Sequence, residues 1–444
     1  MRIIRLDGSP ESVGVLAGAV AAALDGGPAV LPLGPAAPPP PPASRHVRQA
    51  ECAPDAARVP TPRTANPPIR DTPALGGVLV ATSGSTGSPR LVVLPPTALR
   101  ASAEATATRL GGPGRWLLAL PADHVAGVQV VVRALLAGAA PVVQDLRGGF
   151  RPDGFAAATA RLGPGRRYTS LVPTQLLRLL DAGGAALDAL LGYDAVLIGG
   201  AALDAGLRAR AEAAGVRVVA TYGMTETSGG CVYDGLPLDG VQVRLDSDGR
   251  VVLGGPTLAA GYLDDPAATD AAFAEHDGSR EFRTGDLGRW TEGRLEVLGR
   301  ADDVIVTGGE KVAPAAVERV LVAQPGVQAA CVVGLPDPEW GSIVGAALVV
   351  DGSPAPDGLR AAVRAALGRA AVPRVLQAVD ALPLRGIGKP DRAAVARLLA
   401  TPRATRHGDR PEAIVQVDVE GLPRSTSMTV ESSRRPSPAR WPVR

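Results

Sequence analysis

From Gly77 onward, short runs of valine, leucine and isoleucine alternate with longer stretches whose apolar residues recur every third or fourth position. The runs predict strands at Gly77–Ala81, Trp116–Leu120, Pro141–Gln144, Thr169–Val172, Ala195–Ile198 and Val216–Ala220. The spaced stretches predict helices at Thr97–Leu110, Pro173–Asp181 and Asp204–Ala214. Recurrence at three and four matches one face of a helix, whereas a short continuous apolar run matches a strand buried on both faces. Strand–helix alternation of this kind predicts an α/β fold with parallel sheets covered on both sides.

The pattern changes on either side. Ser12 to Leu24 reads as an Ala-rich helix, followed by a Pro-rich stretch from Pro28 to Pro68 that includes Pro38 to Pro42 in a row. Such a run favours extended polyproline geometry and reads as a surface connector. After Tyr222 hairpins take over: Gln242–Leu245 and Arg250–Leu253 flank the turn residues Asp246–Gly249, and Arg294–Leu298 follows the Glu292-Gly293 turn. Alternating strands around Asp, Ser and Gly are hairpin signals. Beyond Gly299 a strand near Val304–Val306, a helix at Ala313–Ala323, strands near Ala329–Val333 and Val344–Val350, and helices at Leu359–Leu367 and Arg392–Leu399 outline a separate α+β domain. The expected division is therefore 1–73, an N-terminal helix and Pro-rich segment; 74–300, a large domain with sheets and a β-rich piece; and 301–400, a small domain. Residues 401–444, rich in Arg, Pro, Ser and Thr, are expected to form a disordered tail.

Composition narrows the function classes. The formal net charge is +2 and the basic residues are scattered, so no nucleic-acid footprint is expected. Cys52, Cys231 and Cys331 are few, odd in number and far apart, which fits neither a disulfide framework nor a metal cluster. No apolar run reaches membrane-spanning length uninterrupted, and the N-terminus lacks a signal-peptide core, so a cytoplasmic protein is expected. Lys311 and Lys389 are the only lysines beside forty-four arginines. A retained lysine invites a chemical reason, because its compact ammonium fits where a guanidinium fork would crowd. Lys389 lies in the glycine-bearing run Leu382–Lys389.

Several segments offer chemistry. Thr82, Ser83, Gly84, Ser85, Thr86 and Gly87 follow a buried-looking strand, and their backbone N–H groups and hydroxyls suit a polyphosphate; a plain flexible turn fits them as well. Tyr222, Gly223, Thr225 and Glu226 stand just after a strand, where α/β sheets bind ligands. Tyr222 suits base stacking, Thr225 a phosphate, and Glu226 magnesium, which takes few carboxylates besides phosphate oxygens. Alternatively, Thr225 or Thr227 only caps a helix. Asp286, in a Gly-flanked segment read as a turn, suits the two hydroxyls of a ribose, or else an Asx-turn. Cys231 reads as a packing residue and not a nucleophile.

Together and in this order, these segments resemble the adenylate-forming superfamily of acyl-CoA ligases, luciferases and peptide-synthetase adenylation domains, over about Ala74 to Leu399. Pro121–Gln129, Leu171–Leu176 and Thr227–Gly235 narrow the resemblance to a short-form branch of the CoA ligases. The resemblance implies a large N-terminal domain and a small mobile C-terminal domain, with ATP, Mg²⁺, CoA and a small carboxylic acid as partners. It admits a homodimer.

The site roles it implies are as follows. Ser83 through Gly87 form the phosphate loop; Gly199, Gly200 and Ala201 pack on the adenine, with Tyr222 and Gly223 on the other side. Thr225 contacts the α-phosphate, Glu226 binds Mg²⁺, Asp286 holds the ribose hydroxyls, and Arg300 reaches the ribose or the phosphate. Lys389 is the adenylation lysine, and Asp302 is the hinge. Gly308 and Gly309 shape a thiol tunnel in a second conformation. His124 lines the acyl pocket or helps the thioester step, or else is a histidine satisfied at a helix start. Lys311 either meets the CoA phosphates or is a solvated surface residue. The phosphate loop departs from the superfamily by ending in Arg90 where lysine is usual. Rival readings are a different acyl-CoA ligase, a stand-alone adenylation enzyme, or a non-catalytic nucleotide-binding scaffold.

Overall fold

A computed structural model describes residues 1–35, 37, 76–82, 90–385 and 389–400. The Ser83–Gly87 loop, most of the Pro-rich stretch and residues 401–444 lie outside the described residues, as does the side chain of Lys389.

The central sheet has seven strands in the order Leu236–Pro237, Gly229–Tyr233, Val218–Met224, Ala195–Ile198, Arg167–Leu171, Arg115–Leu118 and Val142–Val143. The five from Val218–Met224 onward are parallel. Successive side chains on a strand face opposite ways, and here they enter two different cores. Trp116, Leu118, Tyr168, Ala195 and Leu197 join one; Leu117, Leu171, Val196 and Ile198 join the other. That double burial is why these strands read as unbroken apolar runs.

Helices Pro152–Thr159, Pro173–Ala182, Gly184–Leu191 and Ala205–Ala213 cover the second face. Pro173–Ala182 buries Leu176, Leu179 and Leu180 at helical spacing. Leu176 is fully buried, so Leu176→Ala would cost about 2–5 kcal/mol. Asp204 caps the last of these helices by accepting from Leu207 N at 3.0 Å.

On the first face, helices Pro10–Leu24, Pro96–Arg109 and Val125–Leu136 are packed between the central sheet and a second, five-stranded one. The second sheet runs Arg2–Arg5, Val30–Leu33, Val78–Thr82, Arg90–Leu94 and Gly261–Tyr262. This corrects the expectation that residues 1–73 stand apart. Val30–Leu33 is a fully buried strand inside the stretch read as a connector, and Val13, Leu16 and Val20 share a core with Leu99 and Val128. Pro32 is tolerated because the strand is short and its parallel partners leave gaps in the ladder, with Val30 alone pairing to Val78.

The β-rich piece consists of Gln242–Leu245, Arg250–Gly254, Phe273–His276, Ser279–Thr291 and Arg294–Arg300, all antiparallel. Asp286 is thus mid-strand and not in a turn, a second correction. Gly285 allows it: a Cβ there would lie 2.6 Å from Arg300 Nη2, so the glycine makes room for the guanidinium.

The small domain follows the turn Ala301–Asp303. It contains the hairpin Ile305–Thr307 and Glu310–Val312, a sheet of Val327–Asp337, Gly341–Val350 and Val375–Ala378, and helices Pro314–Val322, Pro356–Leu367 and Arg392–Ala400. Its cores are its own. It meets the β-rich piece through Arg319, paired with Glu296, and Ala315, which abuts Gly299.

Candidate active site

Of the residues singled out by sequence, Tyr222, Gly223 and the Gly199–Ala201 loop lie at the carboxyl end of the parallel strands, and Asp286 reaches Tyr222 there. Tyr222 stands near the end of Val218–Met224, and the Gly199–Ala201 loop follows its parallel neighbour, with Ile198 opposite Ala220. A Cβ on Gly199 would lie 2.5 Å from Thr221 Oγ1, so this loop and the tyrosine strand are in close contact. Gly223 is required for a similar reason: a Cβ would sit 2.1 Å from the Gly229 carbonyl on the antiparallel neighbour.

Tyr222 donates its hydroxyl to Asp286 Oδ2 at 2.8 Å. Burial, and then the Asp286 carboxylate, push the phenol far above its ordinary range, so it remains a donor at neutral pH. Asp286 is 9% exposed, and its other oxygen lies 3.5 Å from Arg300 Nη1. Arg300 Nη2 is 3.4 Å from Asp302 Oδ2. One guanidinium therefore stands between the carboxylate assigned to ribose and the residue assigned as hinge.

Glu226 lies in the short turn Thr225–Thr227. Thr227 is what builds that turn: its hydroxyl accepts from Met224 N at 3.0 Å and donates to Gly229 O at 2.8 Å. Glu226 Oε1 accepts from the Tyr262 hydroxyl at 3.0 Å. Tyr262 in turn pairs by backbone with Val92, on the strand Arg90–Leu94, and Arg90 lies over its ring at 5.5 Å. Arg90 Nε also approaches Asp265 at 3.4 Å. The loop's two stems, Thr82 and Arg90, face each other in register, with Thr82 Oγ1 donating to Arg90 O at 3.3 Å. Thus the loop exit, Tyr262 and Glu226 form one contiguous wall.

The donor set fits magnesium. Among the described residues no group of three or more His, Cys, Asp or Glu could enclose a metal. A single carboxylate such as Glu226 is what an ion that keeps phosphate and water ligands needs.

Three residues that sequence reasoning missed are Tyr262, Arg133 and Gln129. The last two are one turn apart on helix Val125–Leu136. Gln129 Nε2 donates to Ser228 O at 2.8 Å, and Arg133 Nη2 donates to the Tyr233 hydroxyl at 3.2 Å. Arg133 is 6% exposed, lies over the Trp116 ring at 5.2 Å, and pairs with no carboxylate among the described residues. Arg133 Nε, Gln129 Oε1 and Ser228 Oγ are all buried without a hydrogen-bond partner there. Orphaned buried polar atoms are rare in folded proteins, and here three converge behind the Glu226 turn. The signal was the i, i+4 pair of polar residues in an otherwise apolar helix.

His124 occupies the N-cap position of the same helix, without a side-chain cap bond. Its Nδ1 is 3.0 Å from Asp123 Oδ1, and it is half-exposed. Burial opposes ionisation of Asp123, but the His124 hydrogen bond and charge, together with backbone hydrogen bonds at Asp123 and Gly34, outweigh it and hold the carboxyl below its ordinary value. A carboxylate only accepts, so Nδ1 carries the proton of this bond. Cys231 is fully buried, and burial pushes its thiol up to about 12, as a packing residue requires.

In the small domain Gly308 has φ +56, and a Cβ would meet the Trp340 ring at 2.6 Å. Gly309 follows with φ +83, and Lys311 is exposed on the outgoing strand. The backbone of Lys389 pairs with Arg385 in the hairpin Leu384–Arg385 and Lys389–Pro390.

A family model described as AMP-binding enzyme matches residues 39–263, and one described as AMP-binding enzyme C-terminal domain matches residues 316–389. The chain belongs to the AMP-binding enzyme family. A relative from Mycobacterium tuberculosis, described as a probable 2-succinylbenzoate–CoA ligase, is 50% identical over 329 residues, 73% of this chain and 84% of that one. A 2-succinylbenzoate–CoA ligase from Salmonella typhimurium is 36% identical over 277 residues, 59% of this chain and 56% of that one. Among solved structures, o-succinylbenzoate CoA synthetase (MenE) from Bacillus subtilis, in complex with the acyl-adenylate intermediate OSB-AMP, is similar with a TM-score of 0.62 and 27% identity. That match covers 75% of this chain and 70% of the other. The fold is the two-domain, mixed α/β arrangement of these neighbours.

Proposed function

We propose that the chain is an ATP-dependent acid–thiol ligase that converts o-succinylbenzoate to o-succinylbenzoyl-CoA, a step of menaquinone biosynthesis, releasing AMP and pyrophosphate. The observation that carries this reading is the joining of Tyr222, Asp286 and Glu226 at one sheet end, in a chain half-identical to a relative described as that ligase. ATP, the acid and CoA are its substrates.

In the first half-reaction a carboxylate oxygen of the acid attacks the α-phosphorus of ATP, and pyrophosphate leaves with the electrons of the broken P–O bond. The protein's share is positioning and charge neutralisation. Asp286 accepts the ribose hydroxyls, with Tyr222 and Arg300 fixing its two oxygens; Tyr222 and the Gly199–Ala201 loop flank the base. Thr225 and the Ser83–Gly87 loop donate to phosphates. Glu226 would hold Mg²⁺, which would supply charge neutralisation at the phosphates. Lys389 bridges the acid carboxylate and the α-phosphate. In the second half-reaction the small domain, dividing from the large one at about residue 300, turns about Asp302, Lys389 withdraws, and the Gly308-Gly309 face admits the CoA thiol. The thiol sulfur attacks the acyl carbon, the acyl C–O bond to AMP breaks with its electrons on the departing phosphate, and the thiol proton passes to solvent. His124 borders the acyl pocket.

The buried, carboxylate-free Arg133 supports a diacid substrate. One carboxylate must be free to react, and a second satisfies the guanidinium that Tyr233 and Trp116 hold in place. Lys311 stays a surface residue in this reading, which also keeps a cytoplasmic enzyme, alone or as a homodimer, without nucleic-acid or membrane partners. Among the described residues no helix is long and apolar enough to cross a membrane. Acid-dependent ATP–pyrophosphate exchange across o-succinylbenzoate, fatty acids and amino acids tests the assignment. Exchange confined to fatty or amino acids would replace it with one of the rival carboxylate-activating readings.

A further inference from the structure

A cluster of charges joins the turn where the small domain begins, just past Arg300, to that domain's last helix. Arg392 opens helix Arg392–Ala400, three positions beyond Lys389. Its guanidinium is engaged on every edge. Nη1 and Nη2 donate to Glu318 Oε1 and Oε2 at 2.6 and 3.1 Å, Nη1 also donates to the Val332 carbonyl, and Nε lies 3.1 Å from Asp303 Oδ2. Glu318 is itself held by Val332 N, which donates to Oε1 at 2.8 Å. A bidentate guanidinium–carboxylate pair fixes orientation as well as charge. Both side chains are mostly buried, at 28% and 18% exposure, so solvent screens the pair less than it would a surface one.

The two ends of this cluster are informative. Asp303 closes the turn Ala301–Asp303, one residue past Asp302. At the other end Arg392 follows the root of the Lys389 hairpin, where Lys389 pairs with Arg385, Asp391 N donates to Pro383 O at 2.8 Å, and Asp391 Oδ1 accepts from Ala394 N at 3.0 Å. Residues nearly ninety apart in sequence are thereby locked together on both sides of the proposed motion's pivot and payload.

We propose that Arg392 is a positioning residue: it clamps Asp303 to the root of the Lys389 hairpin, confines rotation to the bonds at Asp302, and carries Lys389 to the α-phosphate as part of one rigid body. The inference rests on the assignment of Asp302 and Lys389 given above and adds the element that couples them. A hinge needs only a few residues to absorb the backbone change. Without the clamp, Val304 and its neighbours share that change, and Lys389 arrives with slack.

The test compares Asp303→Ala, Asp303→Glu and Lys389→Ala in the full chain. It measures ATP–pyrophosphate exchange with o-succinylbenzoate, thioester formation from supplied acyl-adenylate and CoA, and thermal unfolding. Asp303→Ala is expected to lower kcat for exchange about tenfold, the scale of a sub-ångström misplacement, with KM for ATP and acid unchanged. Thioester formation and the unfolding temperature should stay near wild type, and Asp303→Glu should recover exchange, because its carboxylate still reaches Arg392. Equal loss in both half-reactions overturns the clamp. So does normal exchange in Asp303→Ala beside abolished exchange in Lys389→Ala. Normal exchange in Lys389→Ala would overturn the assignment of Lys389, and the clamp with it.

Discussion

The Tyr222 hydroxyl donates to Asp286 Oδ2 at 2.8 Å, across 64 positions of sequence, and so ties the end of the parallel sheet to the long strand of the β-rich piece. In an apolar surrounding such a bond to a carboxylate fixes both partners before any nucleotide arrives. Tyr222→Phe should raise KM for ATP about tenfold, corresponding to the ~1.5 kcal/mol of a hydrogen bond to a charged group, with little change in KM for the acid. Steady-state kinetics with ATP varied would measure it.

The same phenol makes a pH prediction. Its folded pKa is raised above the ordinary 10.0, first by burial and then by Asp286. Its contribution to stability is therefore complete below pH 10.0 and is lost as pH rises from there toward the folded value. Wild type should lose unfolding temperature above pH 10.0 more steeply than Tyr222→Phe. Parallel curves would remove the explanation.

Tyr262 is expected to act through Glu226. Tyr262→Phe deletes the hydroxyl 3.0 Å from Oε1 but keeps the ring under Arg90. The Mg²⁺ concentration for half-maximal pyrophosphate exchange should rise about tenfold, as for loss of a residue that orients a metal ligand. Isothermal titration of ATP at fixed Mg²⁺ should show the same weakening. An unchanged Mg²⁺ dependence would make the contact purely structural.

Arg133→Gln should raise KM for o-succinylbenzoate about thirtyfold, near 2 kcal/mol for a lost charged hydrogen bond, and leave KM for ATP alone. Equal weakening of ATP would place Arg133 outside the acid pocket. Thermal unfolding separates this from general damage, because Arg133 also holds Tyr233.

Lys389→Ala is expected to abolish adenylate formation while sparing thioester formation from supplied acyl-adenylate. Separate assays of the two half-reactions decide it, and equal loss of both would deny Lys389 its specific part.

The sequence was most legible where burial is symmetrical. Ala195–Ile198 is buried on both faces, so its four residues form one apolar run and read as a strand. It was least legible where a strand is short or carries a breaker. Val30–Leu33 contains Pro32 and borders a proline run, and Gly261–Tyr262 has only two residues. Asp286 looked like a turn residue because glycines flank it, yet Gly285 makes space for Arg300 and Gly288 for Val251, whose Cγ2 lies 2.8 Å from where a Cβ would stand. The residues assigned to the nucleotide were marked by local motifs. Tyr262 and Arg133 were missed, since their partners Glu226 and Tyr233 lie 36 and 100 positions away, and the i, i+4 polar pair that marks Arg133 names neither its partner nor its role.

The most direct measurement supplies the purified chain with ATP, Mg²⁺, CoA and o-succinylbenzoate as the sole acid, and follows products by mass spectrometry. Thioester, AMP and pyrophosphate are predicted in equal amounts, with none formed when the acid is withheld. ATP bound without AMP release, or ADP and phosphate in place of AMP and pyrophosphate, would contradict the account.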